Sequence, residues 1–279
     1  MKRVLPYDQI GGVKFGMSMG ERQIIAEARP ASIPDLRVFW AARRLTLKLP
    51  GSNVGDFGLA LARALRETKV YDEALSIASE IAEQDNEESR RARARKESDT
   101  LAFIQVMQTE KAEEVQKRAW ALIEAADESN PDLMLLITGY LMTQEFETLK
   151  AIELENPRWI EDDEVRPERD RRYHRALDLA LYPSLFHPLR ATEAAEGLWQ
   201  AAQVYRHTQD VERETGALKD LVALYVDSPR SEEARQRLVP LLASLETGAA
   251  EAKPEEKPKE DKPPPGPPPP PKRYNLFED

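Results

Sequence analysis

Residues 55–86 read GDFGLALARALRETKVYDEALSIASEIAEQDN, and this stretch decides the fold class. Phe57, Leu61, Ala64 and Leu65 recur at four- and three-residue steps, as do Ala74, Leu75, Ala78 and Ile81. That spacing lays one apolar stripe along an α-helix, and here it is written twice. Working outward, almost every stretch from Asn53 to Leu245 has the same helical period, with breaks at Asn86, Pro131, Pro157, Pro183, Pro188 and Pro229. Strand-type alternation is absent after the first twenty residues.

One spacing recurs along the body. Ala74 is followed by Ala78, Ile81 and Asn86; Ala119 by Ile123, Ala126 and Pro131; Ala217 by Leu221, Leu224 and Pro229. A small residue lets two antiparallel helices approach, apolar residues one and two turns on seal the contact, and a breaker turns the chain into the next pair. The expected fold is therefore all-α, with stacked antiparallel helix hairpins, each relying on its neighbours to bury its stripe. Alanine-rich helices in an irregular all-α domain produce similar spacings, so periodicity alone leaves that alternative open.

On these residues the chain resembles tetratricopeptide repeats. In Gly55–Asn86, Leu61, Ala62 and Leu65 take the first-helix core positions, and Tyr71-Asp72-Glu73-Ala74 matches the family's entry into its second helix. Gly58 departs from the pattern, which wants a large aromatic there. In the later unit Trp199 neighbours the aromatic position and Ala201, Ala202 and Tyr205 hold the packing positions. Ala217, Leu221, Leu224 and Pro229 then follow after about three extra residues in the turn. That lengthened form, through Leu224-Tyr225-Val226-Asp227-Ser228-Pro229, is similar to envelope-type repeats of bacterial outer-membrane-assembly and Tol-associated proteins. The resemblance implies a TPR-like α-solenoid whose concave groove, lined by first helices, receives a peptide or helix of a partner. Arg63, Arg66, Gln203 and Arg206 are the residues expected to face it.

The body occupies 53–247 in this reading, between an N-terminal arm or small irregular segment at 1–52 and a proline-rich tail at 248–279. Ten of the 21 prolines lie between Pro254 and Pro271, so the tail cannot bury apolar area and is expected to be disordered, extended and solvated. Beyond it, Arg273-Tyr274-Asn275-Leu276-Phe277-Glu278-Asp279 differs in kind. Tyr274, Leu276 and Phe277 are candidate contacts, either as a frayed end or as a docking motif on a semi-rigid spacer. The Leu-Phe pair is also similar to sliding-clamp-binding peptides, although Arg273 stands where their leading glutamine would be. Near the start, Gly11, Gly12 and Gly16 fit neither phosphate-loop spacing. Pro6 and Asp8 interrupt any secretory apolar run, and no apolar window is long enough to span a membrane, so the default location is cytoplasmic, with the periplasm open to a chain that has lost its leader.

Chemistry is sparse. With no cysteine, thiolate metal sites, disulfides and cysteine nucleophiles are excluded. His174, His187 and His207 lack a ligand-spaced partner, and Glu161-Asp162-Asp163-Glu164 lacks the turning glycine and terminal bidentate Glu of a calcium loop. No metal, no cofactor and no enzyme activity are expected. The net charge of −10 argues against a nucleic-acid binder, and the two basic clusters, Arg90, Arg91, Arg93, Arg95, Lys96 and Arg166, Arg169, Arg171, Arg172, Arg175, are interleaved with acids and read as solvated faces. The expected function is a non-enzymatic interaction scaffold or adaptor with one or more protein partners. A structural subunit of a bacterial envelope machine is the alternative, and a sliding-clamp accessory a further one.

Overall fold

The structure is a computed structural model that describes residues 18–26, 28–125 and 129–251, with side chains given through 244. Gly11, Gly12 and Gly16 in the arm, the proline run, and Tyr274, Leu276 and Phe277 lie outside the described residues. Among those described, the regular structure is entirely helical. The helices are α1 (Met19–Ala26), α2 (Ile33–Arg43), α3 (Val54–Glu67), α4 (Tyr71–Gln84), α5 (Glu88–Thr109), α6 (Ala112–Glu124), α7 (Pro131–Glu155), α8 (Arg166–Phe186), α9 (Ala191–His207), α10 (Val211–Leu224) and α11 (Pro229–Glu251). Two compact units divide them, one of residues 1–118 and 127–136 and one of 119–126 and 137–279.

In the first unit α3 is the central helix, packed by α2, α4 and α5. Its sequence allows this because Ala60, Ala62 and Ala64 on the flanks are as buried as Phe57, Leu61 and Leu65 on the stripe. Small side chains on several faces let three helices approach one. Gly58 is part of the same solution. A Cβ there would lie 2.5 Å from Trp40 Cζ3 and 2.6 Å from Ile81 Cδ1, so the ring of Trp40 on α2 fills the space that the repeat pattern gives to an aromatic of its own. Leu36, Trp40 and Leu47, all before residue 53, thus share one core with α3 and α4.

The second unit packs α8 on α9, α9 on α10 and α10 on α11, each beside its sequence neighbour. A Cβ on Gly197 would meet the Ala180 carbonyl oxygen at 2.3 Å, so glycine permits the closest approach of α8 and α9. Pro183, expected to break the chain, lies inside α8 instead. It is near the C-terminal end, its buried ring sits against Gly197, and its carbonyl still accepts from His187 N–H at 3.0 Å. One missing N–H in the last turn is cheaper than losing that packing.

The α3–α4 and α9–α10 turns are built alike. Lys69 (φ 63°) and Gln209 (φ 61°) both take the left-handed conformation. Val70 N–H donates to Leu65 O at 2.9 Å, and Asp210 N–H to Tyr205 O at 2.9 Å; Lys69 N–H reaches Arg66 O, and Gln209 N–H reaches Arg206 O. This is the Schellman closure of a helix C-terminus. The hydroxyls of Thr68 and Thr208 cap the preceding carbonyls in both cases. The later turn is therefore not three residues longer than the earlier one, contrary to the sequence reading. The four-three-five spacing aligns Ala217 with Ala74, but α10 buries Ala217 and Leu218 side by side, and the turn geometry places Glu214 at the level of Ala74.

With that register, helices α3–α5 and α9–α11 correspond at a constant shift of 140 residues. Ala62, Arg66, Thr68, Arg90, Ala94, Arg95 and Leu101 recur as Ala202, Arg206, Thr208, Arg230, Ala234, Arg235 and Leu241. The Arg90–Asp56 pair at 3.5 Å recurs as Arg230–Glu196 at 2.7 Å.

Candidate functional site

The basic clusters are not uniformly solvated faces. Arg90 is 5% exposed: its guanidinium takes both oxygens of Asp85, at 2.8 and 3.0 Å, and also meets Asp56, Glu87 and the Ser52 carbonyl. Gly55 leaves the room for it, since a Cβ there would fall 2.0 Å from Asp85 Oδ2. Arg169, 8% exposed, stacks 4.1 Å from the Trp159 ring and pairs with Glu153 at 2.7 Å. Arg172 reaches the fully buried Glu145 at 3.0 Å. These arginines are inside because carboxylates on other helices accompany them, and sequence spacing along one helix does not reveal such partners. Arg91, Arg93, Arg95, Arg166 and Arg171 are surface pairs.

His207 Nε2 lies 2.7 Å from Glu153 Oε2, with the Phe146 ring edge-on at 5.6 Å. No group of three acids or histidines that could hold a metal occurs among the described residues, and no helix there is long and apolar enough to cross a membrane.

The four residues expected in a groove fall into two corresponding pairs, Arg63 and Arg66 on α3, Gln203 and Arg206 on α9. The local structure puts each pair on the exposed side of the last turns, because Ala62, Ala64, Leu65 and Ala201, Ala202, Val204 take the inner side. Their surroundings differ. Arg66 pairs with Glu97 on α5 at 3.2 Å and with Asp132 on α7 at 3.5 Å. Glu97 is 5% exposed and its Oε1 has no hydrogen-bond partner. Burial raises its pKa; Arg66 and Arg63 oppose the rise and Asp132 adds to it.

At the second pair, Gln203 and Arg206 join Trp199, Ala202, Glu214, Leu218 and Arg237 around a small, shallow pocket that opens to solvent. Its floor is apolar. Ala202 and Leu218 are buried, and the half-buried indole of Trp199 carries Arg230 at 5.5 Å from the ring centroid. Arg237 occupies the position corresponding to Glu97 and is held by the buried Glu214, at 2.7 and 3.3 Å. Arg206 and Gln203 form no side-chain hydrogen bond or ion pair among the described residues. The pocket thus offers an apolar floor, an amide and an uncommitted cation.

The pattern along the sequence does not point to Trp199, Glu214 or Arg237 as pocket residues. A signal for Arg237 is present only in the 140-residue shift, which carries Arg66 to Arg206 and Glu97 to Arg237 at once. No family model, curated protein or solved structure matches the chain.

Proposed function

We propose that this chain is a non-enzymatic protein-interaction scaffold, and that its α9–α11 groove binds a short peptide of a partner by an apolar or aromatic side chain together with an acidic one. The observation that supports the reading is the environment of Arg206. It is exposed, sits at the rim of an apolar pocket with Gln203 and Trp199, and has no partner among the described residues. An aromatic side chain on the Trp199–Ala202–Leu218 floor would bury apolar area, and a carboxylate at Arg206 would gain a charge-assisted, bidentate hydrogen bond. Trp and Arg side by side are also the residue types that dominate interface energetics. The tetratricopeptide resemblance supports a groove of this kind.

The test is selection from a displayed random-peptide library on the full chain, followed by measurement of each selected peptide's affinity for the full chain and for the Arg206→Glu chain. The expected enrichment is peptides with an aromatic or large aliphatic residue next to Asp or Glu, losing about tenfold or more in affinity on Arg206→Glu. Selected peptides that bind both chains equally would place recognition elsewhere.

A further inference from the structure

We propose that the α9–α11 pocket also receives a segment of the same chain, Tyr274-Asn275-Leu276-Phe277-Glu278-Asp279, with an aromatic ring on the Trp199–Leu218 floor and an acidic side chain at Arg206. This rests on the groove reading above and supplies its occupant in the absence of a partner.

Three observations carry it. The first is the contrast between corresponding arginines. Arg66 is neutralised within its own unit by Glu97 and Asp132, whereas the position of Glu97 is taken in the second unit by Arg237. The helix design that closes the first site with carboxylates leaves the second one short of an acid. The second is composition. In 252–279, Tyr274 and Phe277 are the sole aromatics, and Glu278 and Asp279 follow them directly, so the chemistry the pocket lacks is concentrated in six residues. The third is reach. From Arg237 to Glu251 the helix advances roughly 21 Å. Residues 252–272 span up to about 70 Å at full extension, more than enough to bring 274–279 back to that level of α11. A tether of this kind sets an effective concentration on the order of millimolar, so a contact too weak to persist between separate molecules persists within one.

The experiment places a benzoylphenylalanine photo-cross-linker at position 277 of the full chain and maps the products by mass spectrometry. Cross-links within the same chain to α9–α11 residues around Trp199 and Gln203 are expected. Their yield should fall about tenfold with Arg206→Glu and stay unchanged with Arg63→Glu, an exposed arginine of the other unit at the position corresponding to Gln203. In parallel, the full chain carrying Phe277→Ala should bind the selected peptides about tenfold more tightly, since the competing segment is weakened. Cross-links that fall outside α9–α11, that form only between chains, or that are indifferent to Arg206→Glu overturn the proposal, as does an unchanged peptide affinity in Phe277→Ala. If in those cases the selected peptides still depend on Arg206, the groove reading stands and only its internal occupant is wrong.

Discussion

Helices α3–α5 and α9–α11 share a turn, a register and several anchor residues, yet they differ in where their charges are satisfied. In the first set the side chain of Arg90 is 7% exposed and chelates a fully buried Asp85, and Arg66 is held by Glu97 and Asp132. In the second, the corresponding Arg230 is 34% exposed and lies between Glu196 and Glu233 and over Trp199, while Arg206 has no acid from the described residues. The turn and register are shared because small residues and the Schellman closures determine them, and neither depends on those acids. Charge placement is then free to vary. One copy spends its arginines on internal ties, and the other keeps one at the rim of an apolar pocket.

Breaking the two arginine anchors should show the largest difference. Arg90→Ala leaves Asp85 buried without a counter-charge and is expected to cost about 3–5 kcal/mol. Arg230→Ala, at a half-exposed pair, should cost about 1 kcal/mol or less. Urea unfolding of the full chain measures both, and equal costs would mean that the two sites are not differently buried.

The Glu97/Arg237 position should give opposite signs. Arg237→Gln strips the buried Glu214 of its bidentate partner and is expected to destabilise by about 1–3 kcal/mol. Glu97 has a pKa raised by burial, so the folded state binds its proton more tightly than the unfolded chain does. Its charged form therefore lowers stability, and stability is regained as pH falls through the raised pKa towards the ordinary carboxylate value. Glu97→Gln should raise the melting temperature by a few degrees near neutral pH and change it little at pH about 4, where the acid is mostly protonated. A loss near neutral pH would show that the Arg66 pair outweighs the burial cost.

The smallest effects should be the most alike. Lys69→Gly and Gln209→Gly each relieve a left-handed non-glycine residue and should stabilise by about 0.5–1 kcal/mol. A marked inequality in thermal melts would count against a shared turn.

Much of this was legible along the chain, and the limits follow from particular residues. Helical periodicity needs only near neighbours, so the stripes of α3 and α4 could be read directly. Gln203 and Arg206 line the shallow pocket of the second unit, and their side of α9 follows from the buried Ala201, Ala202 and Val204. Arg66 takes the corresponding side of α3 for the same reason, but its fate depends on Glu97 and Asp132 from two other helices, which spacing within α3 cannot show. Gly58 looked like a defect until Trp40 of α2 was seen to fill its space. The length of the turn before α10 is not legible in the sequence, because a pattern of alanine and leucine fits two adjacent buried positions, Ala217 and Leu218, equally well.

The central claim is that corresponding arginines divide between structure and recognition. It is tested most directly by measuring melting temperature and affinity for a selected acidic-aromatic peptide side by side in full chains carrying Arg66→Ala or Arg206→Ala. The account predicts that Arg66→Ala lowers the melting temperature and leaves affinity unchanged, while Arg206→Ala weakens binding about tenfold or more and shifts the melting temperature no more than Phe277→Ala does. Binding that survives Arg206→Ala, or that falls equally in both variants, would contradict it.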